Sequence, residues 1–261
     1  MNQILNNFSL SNKRILITGA SSGIGRTIAV HCAALGAECI IVGRNEERLA
    51  DTFTQLSGEN HTQIIADLTK QEAIANICSS IESLDGVVHC AGKVVPYLTK
   101  FLNDEIFSDV FDINFNASFN IMSGLLRARK VKSYCSIVFI SSFASHYPYP
   151  TGSMYAASKA ALEAYSKTLA IENTALKLRT NCLCPALVKT EMFERTFNSG
   201  FHDNADEKLK QYENYFTFGI GETSDVANAT TFLLSDASRW ITGQSIILDG
   251  GYLLGLLSKV F

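Results

Sequence analysis

Arg14-Ile15-Leu16-Ile17-Thr18-Gly19-Ala20-Ser21-Ser22-Gly23-Ile24-Gly25 decides how this chain is built. Its first five residues form a short apolar run of the kind that makes a buried parallel strand. A glycine-rich turn follows at once, and a helical pattern runs on through residues 26–35. A strand that feeds glycines into a helix N-terminus is a phosphate site. Backbone N–H groups point outward, the helix dipole favours an anion, and missing side chains let a pyrophosphate approach. The spacing is Gly-x-x-x-Gly-x-Gly, which makes Gly19, Ser21, Ser22, Gly23, Ile24 and Gly25 the candidate cradle.

Working outward, a second strand over residues 37–42 ends in Gly43-Arg44-Asn45. An acidic residue here would bind the adenosine ribose of NAD, whereas a 2′-phosphate needs a cation and no carboxylate. Gly43 takes the acidic position and Arg44 follows it. A guanidinium can clamp a phosphate with two hydrogen bonds, so NADP(H) is favoured over NAD(H). The alternative for Arg44 is a solvated residue that caps the next helix, about residues 45–56. A third strand near 62–66 precedes Asp67-Leu68, and another strand from Gly86 ends in His89-Cys90-Ala91-Gly92. His89 reads as a buried structural histidine.

Further along, the buried run at residues 136–140 ends in Ser141-Ser142, and thirteen residues after Ser142 comes Tyr155-Ala-Ala-Ser-Lys159. Gly152 and Ser153 offer a turn and an N-cap for an alanine-rich helix. Residues four apart on a helix share a face, so Lys159 stands beside Tyr155. An ammonium there favours the phenolate and is expected to lower a phenol pKa that starts near ~10. Residues 107–130 read as one long helix with Asn114 in its middle, where asparagine is a poor helix former and usually has another task.

Strand, Ser-Ser, loop and Tyr-x-x-x-Lys together resemble the active site of the short-chain dehydrogenase/reductase family. The resemblance spans about residues 13–252 and includes Thr-Gly-x-x-x-Gly-Ile-Gly near the start. It implies a doubly wound, mostly parallel α/β sheet in one domain over residues 1–261. It also implies hydride transfer between NADPH and a carbonyl or secondary alcohol. Tyr155 would donate the proton and Ser142 would hydrogen-bond the same oxygen. Lys159 would lower the Tyr155 pKa and bind the nicotinamide ribose, and Asn114 would support a proton relay through water. Asp67 and Leu68 would meet the adenine, and the backbone of Ala91 and Gly92 would line the cofactor cleft. Cys90 departs from the family's usual asparagine. Pro185-Ala186-Leu187-Val188-Lys189-Thr190 resembles the family's Pro-Gly-x-Val-x-Thr, with Val188 and Thr190 expected at the nicotinamide end. A 3-oxoacyl thioester is the first substrate class implied; steroid, sugar and xenobiotic carbonyls share the same residues, and an NADP(H)-binding sensor or scaffold is the non-enzymatic alternative.

Residues 191–218 fall in that family's variable lid. Met192, Phe193, Phe197, Phe201, Tyr212, Tyr215, Phe216 and Phe218 make it suited to an apolar or aromatic substrate. His146, Tyr147 and Tyr149, in the proline-stiffened loop before Gly152, either touch substrate or cover the helix end. The apolar tail, residues 253–261, argues for burial in a homo-oligomer, a tetramer or a dimer.

Composition limits the rest. A net charge of −3 gives no basic field for nucleic acid, and no apolar run is long enough to span a bilayer. The polar start shows no signal-peptide core, which implies a cytoplasmic protein. Seven cysteines contain no Cys-x-x-Cys. Cys182 and Cys184 share a strand face, but no neighbouring His or Cys in the sequence completes a ligand set, so no metal is expected.

Overall fold

The computed structural model describes residues 2–197 and 213–258. One seven-stranded sheet organises them, every pairing parallel, in the order β3-β2-β1-β4-β5-β6-β7. The strands are β1 (Arg14–Thr18), β2 (Glu38–Gly43), β3 (Thr62–Ile65), β4 (Leu84–His89), β5 (Val131–Ile140), β6 (Arg179–Pro185) and β7 (Ser245–Leu248). A short α1 (Asn2–Asn6) leads in. The sheet is flanked by α2 (Gly23–Ala34), α3 (Glu46–Phe53), α4 (Gln71–Ser80), α5 (Asp104–Phe111), α6 (Ala117–Arg127), α7 (Ser153–Glu172), α8 (Glu191–Phe197), α9 (Thr223–Leu234) and α10 (Tyr252–Ser258). This is the doubly wound architecture the sequence implied.

Side chains alternate across a strand, so each buried strand feeds two cores. Leu16, Val87, Ile137, Phe139, Cys182 and Cys184 face one layer, packed with Ile121, Met122 and Leu162. Ile15, Ile17, Val88, Val138 and Leu183 face the other, with Ile28, Cys32, Val226 and Leu233. Each large apolar side chain so enclosed contributes roughly 1.5–3 kcal/mol. His89, as expected, is interior: it is buried, stacks on Phe139 at 4.7 Å, and burial lowers its pKa to about 3.

Three readings are corrected here. The predicted helix over 107–130 begins earlier, at Asp104, where Asn103 caps it by accepting from the Ile106 N–H. It is also interrupted: Asp112–Asn116 is a π-helical turn between α5 and α6. Such a turn carries one extra residue and redirects its side chains. Secondly, β5 starts at Val131, five residues before the expected 136. Thirdly, Gly152 rather than Ser153 occupies the N-cap of α7, and the buried Ser153 hydroxyl has no hydrogen-bond partner.

Strand order reverses between β1 and β4. In open α/β sheets ligands bind beyond the carboxyl ends of the strands at such a switch point. The glycine turn, Cys90-Ala91-Gly92 and Ser141-Ser142 all follow strand ends on this side of the sheet.

Candidate active site

The glycine turn is shaped by close approach. Gly19 has φ +69°, and a Cβ there would lie 2.7 Å from the Ala91 nitrogen; a Cβ on Gly25 would lie 2.2 Å from the Gly19 carbonyl oxygen. Only glycine permits this packing. The turn is fastened to β4 by Thr18, whose Oγ1 accepts from the Cys90 and Ala91 N–H groups at 3.1 and 3.2 Å. Thr18 therefore supplies a tie at the place where Cys90 replaces the family's asparagine. Ser22, the N-cap of α2, makes no side-chain capping hydrogen bond, which leaves the helix dipole facing the cleft. These features fit a pyrophosphate.

At the end of β2, Asn45 caps α3 by accepting from the Arg48 N–H at 2.9 Å. The capping role once open to Arg44 thus belongs to its neighbour. Arg44 is exposed, and its guanidinium has no hydrogen bond or ion pair among the described residues. Asp67 stands close by. Its carboxyl is held below its ordinary pKa mainly by the Thr69 backbone N–H, with Arg44 adding to the effect.

Around Tyr155 the chain brings four predicted residues together. Ser142 is buried at the end of β5, where its Oγ accepts from the Ala144 N–H at 3.1 Å. Lys159 is buried, and its ammonium donates to the Ile140 carbonyl at 2.7 Å, with Nζ 5.7 Å from the centre of the Tyr155 ring. A Cβ on Gly92 would sit 3.1 Å from Asn114 Oδ1 and 3.4 Å from Lys159 Nζ. Asn114 itself is fully buried in the π turn. It accepts from the Lys93 N–H at 2.8 Å and donates to the Lys93 carbonyl and to Ser158 Oγ, each at 3.0 Å. Ser158 in turn donates to the Tyr155 carbonyl at 2.7 Å. Sequence reasoning missed Ser158, whose only signal was its place beside Lys159.

One electrostatic expectation is overturned. Burial pushes the Tyr155 phenol up to about 12, and the neighbouring Ser142 hydroxyl only partly opposes this. Lys159 does not lower it. The same burial brings the Lys159 ammonium down to about 8. Desolvation disfavours both charged forms and is the largest cause for each. Tyr155 is therefore a fully protonated phenol at neutral pH.

The segment after β6 closes the far side. Val188 bridges to Gly221, and the Lys189 N–H donates to the Gly221 carbonyl at 2.9 Å. The Thr190 methyl lies 3.5 Å from where a Gly23 Cβ would be, which sets this segment over the glycine turn. The Thr190 hydroxyl accepts from the Phe193 N–H at 3.1 Å, a helix-starting role the sequence reading did not foresee. Of the aromatic lid, Phe201 and Tyr212 lie outside the described residues. Phe216 is buried against Tyr252, with ring centres 4.8 Å apart. Tyr252 meets Phe143 edge-on at 5.6 Å, and Phe143 stacks on Tyr147 at 4.7 Å.

The family model described as enoyl-(acyl carrier protein) reductase matches residues 19–253. A 3-oxoacyl-(acyl-carrier-protein) reductase of Rickettsia bellii is 34% identical over 245 residues, 94% of this chain and 98% of that protein. The chain belongs to the short-chain dehydrogenase/reductase family. It is thus an oxidoreductase of a family that acts on carbonyl and alcohol groups with a nicotinamide cofactor. An L-xylulose reductase of Caenorhabditis elegans is 30% identical over 252 residues, 94% of this chain and 98% of that one. Among solved structures, a short-chain alcohol dehydrogenase of Sinorhizobium meliloti superimposes with a TM-score of 0.85 at 30% identity, covering 95% and 98% of the two chains. An NAD(P)-dependent gluconate 5-dehydrogenase of Beutenbergia cavernae, with NADP bound at low occupancy, superimposes at 0.84 and 25% identity, covering 95% and 99%. Within this dehydrogenase/reductase, no helix among the described residues is long and apolar enough to cross a membrane.

His146 is resolved by the fold as well. Its Nε2 lies 2.9 Å from Glu163 Oε2 and 3.8 Å from Cys184 Sγ, so it is committed to α7 and β6 rather than to the substrate mouth. The sequence reading found no histidine for Cys184; the tertiary structure supplies one.

Proposed function

We propose that this protein is an NADPH-dependent reductase of 3-oxoacyl thioesters. The observation that carries the reading is the convergence of Tyr155, Lys159 and Asn114 beside Gly92, with Lys159 Nζ 5.7 Å from the Tyr155 ring centre, in a chain that spans 98% of a relative named for that reaction. When bound, NADPH supplies the hydride. Tyr155 gives its proton to the alkoxide that forms on the substrate, and Ser142 hydrogen-bonds the same oxygen. Lys159 binds the nicotinamide ribose and offers positive charge beside the phenol. Asn114, held by Lys93 and Ser158, keeps the π turn open for a relay water. Gly19, Ser21, Ser22, Gly23, Ile24 and Gly25 cradle the pyrophosphate, and Arg44 takes the 2′-phosphate. Asp67 and Leu68 receive the adenine; Cys90, Ala91, Gly92, Pro185, Val188 and Thr190 enclose the rest of the cofactor.

We take the variable segment 191–218, of which residues 191–197 and 213–218 are described, as the substrate lid. Phe143, Tyr147, Phe216 and Tyr252, joined to the turn that follows Ser142, favour an acyl chain over a polyol. NADPH consumption across 3-oxoacyl thioesters, 2-enoyl thioesters, ketoses, steroids and quinones tests this. Fastest turnover of a 3-oxoacyl thioester is expected. A preference for the ketose would favour the reading suggested by the xylulose reductase relative, and enoyl preference would follow the family model's description. No turnover of any of them would leave a cofactor-binding sensor.

The pH profile follows from Lys159. Its ammonium is present below about 8 and is lost above it. The kcat/KM for NADPH, which reports groups on the free enzyme, is expected to fall about tenfold per pH unit above that point. A profile flat to about pH 10 would remove Lys159 from this role.

We place the protein in the cytoplasm, a reading supported by seven free thiols. We also read it as a homotetramer. Phe107 and Phe119 on α5 and α6 are 46% and 41% exposed, and Leu254 on α10 is 69% exposed. Leaving such side chains in water forgoes roughly 1.5–3 kcal/mol each. Light scattering is expected to give a particle near four times the chain mass. A monodisperse species at 28.6 kDa would contradict it, as would unchanged assembly after deletion of residues 253–261.

A further inference from the structure

Glu163 lies one helical turn beyond Lys159, and its side chain is only 8% exposed. A carboxylate in such a place is costly unless its oxygens are engaged. Oε1 accepts from the Ser141 hydroxyl at 2.8 Å, from the Ser145 hydroxyl, and from the Cys184 thiol at 3.4 Å. Oε2 faces His146 Nε2 at 2.9 Å, and Cys184 Sγ is 3.8 Å from that same nitrogen. One imidazole nitrogen, one sulfur and one carboxylate oxygen thus lie within 4.8 Å of one another.

We propose that His146, Glu163 and Cys184 form a binding site for one divalent cation of the zinc class. Bond lengths of about 2.0–2.3 Å to N, O and S ligands place donor atoms roughly 3.3–3.8 Å apart around a tetrahedral ion. His146 Nε2 stands 2.9 Å from Glu163 Oε2 and 3.8 Å from Cys184 Sγ, and the three donor atoms lie within 4.8 Å of one another, so closing on an ion needs shifts of about an ångström or less. The donor set also fits the ion's chemistry. Imidazole with thiolate selects zinc-class metals over magnesium or calcium. Neutral His, Glu⁻ and Cys⁻ around a 2+ ion sum to zero charge, which suits a half-buried position. Three protein ligands leave the fourth position to water, and the His146 side chain, 36% exposed, provides the entry path.

The surroundings are those of a supported site. The Ser141 and Ser145 hydroxyls orient the Glu163 carboxylate, as outer hydrogen bonds do for metal ligands. The ligands come from three elements: the turn after β5, helix α7 and strand β6. On binding, the Cys184 S–H bond breaks and a metal–sulfur bond forms. The proton leaves to solvent, and no electrons are exchanged. Ser145 Oγ also lies 2.5 Å from the Ser142 carbonyl oxygen, so the ion would pin the turn that carries Ser142 to the two elements behind it.

The test is a titration of the full chain, stripped with chelator and dialysed, first with Co²⁺ and then with Zn²⁺. The expected result is one Co²⁺ per chain, with a thiolate-to-cobalt band in the near ultraviolet and visible bands of four-coordinate intensity, all erased by one equivalent of Zn²⁺. Cys184→Ser should remove the near-ultraviolet band. His146→Ala, at an exposed position that folding tolerates, should weaken Zn²⁺ binding by about a hundredfold or more. It should also abolish the Zn²⁺-induced rise in melting temperature. Absence of the charge-transfer band in the parent protein would overturn the proposal and leave a metal-free hydrogen-bonded triad. So would equal Zn²⁺ affinity in the parent and His146→Ala, which would put the ion elsewhere.

Discussion

Tyr155→Phe is expected to lower turnover by about 10²–10⁴-fold, the usual worth of a positioned general acid, while NADPH binding stays within about twofold. The reason lies in what the substitution keeps. The ring remains against Lys159, whose ammonium is 5.7 Å from its centre, and the Ile140 carbonyl still holds that ammonium. The Ser158 contact to residue 155 is to the backbone and also survives. What disappears is the one phenolic proton, which burial holds to about pH 12 and which is therefore present throughout the neutral range. Steady-state rates with a reducible ketone, set beside NADPH fluorescence titration, check the two halves separately. Retention of more than about a tenth of the parent rate would refute the assignment.

Arg44→Ala is expected to raise the apparent constant for NADPH about ten- to a hundredfold, from the loss of one charge-assisted contact of roughly 1.5–3 kcal/mol. The constant for NADH should barely move, because only NADPH carries the 2′-phosphate. The structure makes the prediction clean. Asn45 caps α3, and Arg44 makes no hydrogen bond or ion pair among the described residues, so its removal leaves the helix start intact. Paired kinetics with both cofactors provide the measurement; equal effects on the two would reopen the NAD reading.

The serine, lysine and tyrosine were legible because each sits at a fixed place in a local pattern. Ser142 ends a strand, and Tyr155 and Lys159 lie four apart on one helix, so local geometry alone aligns them. The glycine turn was legible for the same reason: it joins one strand to the next helix without a long-range contact. Burial was not legible. The phenol–ammonium pair looked like a device for lowering the Tyr155 pKa, yet how deep both groups lie depends on Cys90, Asn114 and the end of β5. Desolvation decides the sign, and it comes from packing. The π turn at Asn114 was equally hidden, since its extra residue reflects what α5 and α6 must pack against.

The sequence by itself determined the strand–turn–helix order, the Tyr155–Lys159 spacing and the absence of an acidic residue at Gly43, because these are set by neighbours along the chain. Only the tertiary structure brought His146, Glu163 and Cys184, residues 17 and 21 positions apart in sequence, onto one point. It also gave the cap of α3 to Asn45 and the tie between β1 and β4 to Thr18. The physical reason is range. Propensity and spacing act over a few residues, whereas desolvation and ligand convergence depend on which elements the parallel sheet places side by side.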